Sequence, residues 1–137
     1  EWLALETGNP KLAAFADQGA ILINARLAAD ALGATKMDRP EDVDVHPSTG
    51  KVFLMLTNNG KRKSDEVDAA NPRAENRFGH IIEITPDGGD HAPTGFAWEI
   101  LVKCGDPAIA EVGATFNAAT TANGWFGMPD NCAIDAD

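Results

Sequence analysis

Between Pro40 and Val102 four apolar runs follow one another, each closed by a turn signal, and this succession restricts the chain to an antiparallel sheet. Glu41-Asp42-Val43-Asp44-Val45-His46 alternates strictly, with the valines on one face and polar side chains on the other, as a half-buried strand requires. Pro47-Ser48-Thr49-Gly50 supplies a turn, and Lys51 to Thr57 returns as the second arm of a hairpin. Gly79 to Thr85 is a third run, closed by Pro86-Asp87-Gly88-Gly89. Phe96 to Val102 is a fourth, with Phe96, Trp98 and Ile100 on one side.

Four strands joined as a meander are the content of one propeller blade. A short repeat extends that reading. Pro40-Glu41-Asp42-Val43-Asp44-Val45-His46 aligns with Pro129-Asp130-Asn131-Cys132-Ala133-Ile134-Asp135 at an offset of 89, each copy following a loop and opening a strand. The expected fold class is therefore mainly β: a partial propeller of about one complete four-stranded blade plus parts of adjacent blades. Residues 1–36 read as the end of a preceding blade and a connector, with Ala20 to Arg26 as a strand and Leu27 to Leu32 as a helical turn stopped by Gly33. Residues 37–102 read as the full blade, with an inserted loop at 58–77. Residues 103–137 read as a connector and the first strand of the next blade. The chain opens at Glu1 and its last ten residues look like the start of an element, so a single segment of a larger propeller is expected.

Composition excludes several roles. With 11 Lys and Arg against 21 Asp and Glu, the formal charge is −10, the wrong sign for a nucleic-acid groove. The apolar runs reach four or five residues, far short of the roughly 20 that a membrane helix needs. Cys104 and Cys132 have no zinc-ligand spacing, and free buried thiols or a disulfide both remain open. No Gly-rich phosphate loop, G-x-S-x-G elbow or H-E-x-x-H is present. His80, at the head of an apolar strand, reads as a satisfied core histidine.

First strands of propeller blades line the central channel, so Glu41 with Asp42, and Asp130 with Asn131, are expected to face one shared space. Converging oxygens repel unless a cation sits among them, and hard oxygen donors select calcium, magnesium or a hard trivalent iron. Arg39 adds a planar fork suited to phosphate or carboxylate at the same mouth. Its alternative role is a structural ion pair with Asp38, Glu41 or Asp42. From Asn58 to Arg77 the apolar pattern disappears for 20 residues, and loops of this length are more often functional than not. Five of the basic residues lie there, so this stretch carries +1 against −11 for the remainder. Arg62, Arg73 and Arg77 could thus form an anion-attracting rim, the alternative being an exposed charged loop without a ligand.

At Gly33 to Pro47, Ala70 to Arg73, Asn76 to Ile84, Phe96 to Glu99 and Pro129 to Asn131, the chain resembles the PhoX-type secreted alkaline phosphatases of bacteria. The resemblance implies a β-propeller phosphomonoesterase, periplasmic or secreted, whose channel holds Ca and Fe(III) and whose substrate is a phosphate monoester. It implies that Glu41 and Asp130 are metal ligands and that Arg39 contacts phosphate. It also implies further ligands, a cysteine and glutamates on iron, upstream of the stretch covered here, so the isolated segment is expected to be inactive.

Two other functions compete: a calcium-dependent propeller lactonase or similar hydrolase, and a non-catalytic scaffold or binding module with structural carboxylates. An open set of blades leaves unpaired strand edges, which predicts a homodimer or swapped assembly.

Overall fold

The computed structural model describes residues 1–135, which divide into two compact units, residues 1–36 and the described residues from Met37 onward. The last two residues of the expected connector and strand at 103–137 lie outside the described residues.

The first unit is helical. A short 3-10 turn at Pro10–Leu12 precedes α1 (Gln18–Ile23) and α2 (Ala25–Leu32). The strand expected over Ala20 to Arg26 is therefore overturned. Its apolar run belongs to a helix because the Asp17 carboxylate caps the N-terminus, accepting the Ala20 amide at 2.8 Å. The apolar spacing is also helical: Ile21, Ala28 and Leu32 close on Leu12 in one small core, with Leu5 and Phe15 against it. The stop at Gly33 is as expected. Its φ of 79° admits the left-handed turn that ends α2, where the amides of Gly33 and Ala34 bond the carbonyls of Asp30 and Ala29 at 3.0 Å.

The second unit is built on one four-stranded antiparallel sheet, β1 (Pro40–Val45), β2 (Val52–Leu56), β3 (His80–Pro86) and β4 (Phe96–Lys103), in sequential order. The mainly β meander is the one the period-two pattern predicts. Registers such as Val43 to Leu54, Leu54 to Ile82 and Ile82 to Ile100 put these side chains on one face. There Val52, Leu56, Ala70, Ile82 and Ile84 form the core, with Met37, Leu54, Phe96 and Ile100 packed against it. The valines of β1 share this face but are not buried in it: Val43 is 58% and Val45 44% exposed. β1 is an edge strand, so only one side of each valine has a neighbour strand.

The opposite face carries Phe53, Met55 and Ile81. It is crossed by residues 126–135, leaving a cleft of about 580 Å³ lined also by Leu101, Phe126 and Ile134. The second copy of the repeat lies in this crossing segment and forms no strand among the described residues. Pro129 has no N–H to offer a ladder, and the Cys132 amide is taken by the Asp42 side chain at 2.9 Å.

Candidate functional site

The long loop at 58–77 is not an exposed tether. A 3-10 turn at Ser64–Glu66 and a bridge between Asn59 and Asn76 shape it, and Arg62, Ala70, Asn71 and Asn76 are buried. Asp38, fully buried, is the hub. Its carboxylate accepts Arg62 Nε at 2.6 Å and Asn76 Nδ2 at 2.9 Å, and its amide donates to Asn71 Oδ1 at 3.1 Å. Asn76 Nδ2 also faces His80 Nδ1 at 3.1 Å, and His80 Nε2 lies 2.7 Å from the Ala70 carbonyl. A carbonyl only accepts, so Nε2 carries the proton and Nδ1 accepts from Asn76. Burial lowers the His80 pKa, which keeps the ring neutral in this satisfied core position.

Of the three arginines expected on an anion-attracting rim, Arg62 is thus committed to Asp38 and to the Glu66 carbonyl at 2.7 Å. Arg73 gathers the carbonyls of Cys104 (2.8 Å), Val112 (3.1 Å) and Gly79, tying the loop to the end of β4. Arg77 is exposed, with Glu75 at 3.5 Å. The loop's polarity therefore works inward at Arg62 and Arg73. Sequence reasoning missed Asp38 as a buried hub, although its place directly before Arg39 was visible.

The buried hub ends where β1 begins. Arg39, next to Asp38, has φ 45°, in the left-handed region that disfavours side chains. Its guanidinium emerges and places Nη2 at 2.8 Å and Nε at 3.1 Å from Glu41 Oε1, with Nη1 at 3.5 Å from Asn58 Oδ1. The ion pair expected as one of two roles for Arg39 is therefore formed, and with Glu41. Both side chains are partly exposed, so the pair contributes at most about 1 kcal/mol.

Met128 has φ 54°, and it occupies the position equivalent to Arg39 at the offset of 89. Both residues precede a proline. The two copies thus share a backbone device as well as a sequence, and they are joined directly. Thr57 donates its amide to the Arg39 carbonyl at 3.1 Å and its hydroxyl to the Pro129 carbonyl at 2.8 Å. Asp42 accepts the Val43 amide on Oδ1 and the Cys132 amide on Oδ2, each at 2.9 Å. The Cys132 bond is the leading cause of a lowered Asp42 pKa. Asp130 is exposed on the second copy, beside the buried Pro129.

Glycine is required where this arrangement meets β3. Gly79 has φ 73°, and a Cβ there would fall 2.2 Å from the Thr57 carbonyl oxygen. Cys104 is a buried free thiol whose pKa burial pushes up to about 12, and Cys132 is a half-buried free thiol. Burial also pushes the Cys132 thiol up, so neither cysteine is held as a thiolate.

Among the described residues no group of three or more His, Cys, Asp or Glu side chains could hold a metal ion. Glu41 and Asp130 are hard oxygen donors suited to calcium or ferric iron, so they fit as contributors to a site but do not complete one.

The family model described as alkaline phosphatase PhoX matches residues 1–137. No curated protein matches. Among solved structures, Pseudomonas fluorescens PhoX in complex with vanadate, a transition state analogue, is 37% identical, with a TM-score of 0.79. The match covers 98% of this chain and 24% of that one, so the chain spans about a quarter of its relative's length and corresponds to part of the propeller. By sequence along its whole length and by fold, the chain belongs to the PhoX alkaline phosphatase family.

Proposed function

We propose that this chain is the part of a phosphate monoester hydrolase that supplies the anion clamp and two metal-ligating carboxylates. The observation that carries the reading is the Arg39–Glu41 pair, presented at the opening of β1 on a strained backbone held from behind by the Asp38 hub. A guanidinium stored on a weak exposed pair is available to a dianionic phosphoryl group, which offers two oxygens to its fork. The vanadate complex of the P. fluorescens relative supports an oxyanion ligand for the family fold.

In this reading Arg39 binds and orients the phosphoryl oxygens and faces the charge that develops on them as the ester bond breaks. Glu41, released from Arg39 by the substrate, would help to hold a cation, with Asp130 contributing from the second copy. Cations held by such carboxylates, calcium and ferric iron by family resemblance, would supply Lewis-acid polarisation of the phosphoryl group and activation of the nucleophile. Because the donor set among the described residues is incomplete, the segment alone is expected to be inactive. Export to the periplasm or the medium is part of the same proposal and rests on the family resemblance alone.

The test is turnover of p-nitrophenyl phosphate by the full-length protein that contains this segment. Glu41→Gln and Arg39→Ala are each expected to abolish most activity, and near wild-type rates in either variant would remove that residue from the mechanism.

A further inference from the structure

Arg39 with Glu41, and Asp130, sit on two separate stretches of chain, and a shared site needs a fixed distance between them. Among the described residues, Thr57 and Asp42 each bond to both stretches, and neither is a ligand in the reading above. Thr57, only 6% exposed, bonds the carbonyl before Pro40 with its amide and the carbonyl of Pro129 with its hydroxyl. Asp42, directly after Glu41, gives one carboxylate oxygen to the Val43 amide of its own copy and the other to the Cys132 amide of the second. The positions bonded by Asp42 are equivalents at the offset of 89, and those bonded by Thr57 lie one residue out of that equivalence.

We propose that Thr57 and Asp42 are positioning residues, a two-point clamp that sets the separation between the Arg39–Glu41 turn and the Pro129–Asp130 turn. The inference rests on the assignment of Arg39, Glu41 and Asp130 given above. Two bonds at different points along each copy fix orientation as well as distance, which a single bond would not. The two halves of the clamp also differ chemically. The Thr57 amide bond to Arg39 is main chain and survives any side-chain substitution except proline, whereas its bond to Pro129 depends wholly on the hydroxyl.

That asymmetry gives the test. Thr57→Val keeps the shape and the bond to Arg39 but removes the tie to Pro129; Thr57→Ser keeps both bonds. In the full-length protein, Thr57→Val is expected to weaken vanadate inhibition about tenfold, with KM for p-nitrophenyl phosphate changed less than about twofold, because misplacement is felt most where geometry is tightest. Thr57→Ser should match the wild type in both. An inhibition constant and a KM do not depend on the fraction of enzyme folded, so simple destabilisation would move neither. Unchanged vanadate inhibition in Thr57→Val overturns the clamp. Should that variant fail to fold, Asp42→Asn at a half-buried position has the same expected shift, since one amide oxygen cannot replace two carboxylate oxygens, and no shift there overturns it equally. Glu41→Gln measured alongside separates the two levels. If it retains wild-type turnover, the site assignment has failed; if it loses turnover while Thr57→Val behaves as Thr57→Ser, only the clamp has.

Discussion

Arg62 Nε lies 2.6 Å from Asp38 Oδ1, and both side chains are buried, at 6% and 0% exposure. This pair joins the first part of the 58–77 loop to the residue directly before Arg39. Removing one member of a buried pair leaves a charge without its partner, a loss of about 3–5 kcal/mol. Arg62→Met should destabilise the protein on that scale in urea denaturation. Adding Asp38→Leu should not restore it, because Asn76 Nδ2 then loses its carboxylate acceptor as well. A double variant as stable as the wild type would show that the hub is dispensable.

His80 makes stability depend on pH. Its folded pKa lies below its ordinary value of 6.5 because burial disfavours the charged ring. The unfolded chain therefore binds the proton first on acidification. The contribution is fully present above the unfolded value and is lost as pH falls through the folded one. Unfolding free energies measured between about pH 7.5 and pH 5 should fall more steeply for the wild type than for His80→Gln. Parallel curves would show that the ring is not buried neutral.

The fork of Arg39 matters beyond its charge. Arg39→Lys keeps the cation but loses the planar donors that now grip Glu41 from two nitrogens. In the full-length protein its kcat/KM toward an aryl phosphate should drop about 100- to 1,000-fold, by analogy with loss of a positioned donor. A lysine variant with wild-type kcat/KM would reduce Arg39 to a point charge.

The open edge of β1 is blunted by its own side chains. His46 N–H bonds the Lys51 carbonyl at 2.8 Å, so the even-numbered residues of β1 make the ladder bonds and the Val43 and Val45 amides turn outward. Asp42 and Asp44 accept those two amides at 2.9 Å and 2.8 Å. Asp44 thus has a use as an edge guard that its alternating pattern did not reveal. Asp44→Ala should raise concentration-dependent association in light scattering, while Asp44→Asn, which keeps an acceptor, should not. Equal behaviour of the two variants would mean that this edge is protected by other means.

The meander was legible because period-two runs and the turn at Pro47 to Gly50 agree on one answer, and strands β1 to β4 begin and end within a residue or so of their sequence limits. The helices at 18–32 were not. Ala20-Ile21-Leu22-Ile23 is a short apolar run that suits strand or helix, and only the Asp17 cap together with Ala28 and Leu32 decides it. Glu41 and Asp130 stand in the two copies of the repeat and Arg39 directly precedes the first, so all three could be singled out, and the contact between Arg39 and Glu41 was among the alternatives. The inward use of Arg62 could not be read, because its partner Asp38 is 24 positions away and the burial that makes the pair matter is a tertiary property.

One difference between the two repeat copies follows from the bond geometry. Where the first copy has Asp42 the second has Asn131, and the Asn131 side chain is among the hydrogen-bonding groups that lower the Asp42 pKa. The two copies do not each need an anion: one carboxylate already serves the amides of both, and a second beside it would oppose the first. A neutral amide at 131 lets the second copy donate to the acid of the first. The inexact match between the copies is thus a division of labour, in which repetition supplies the frame and the change from acid to amide at this position keeps the copies compatible at close range.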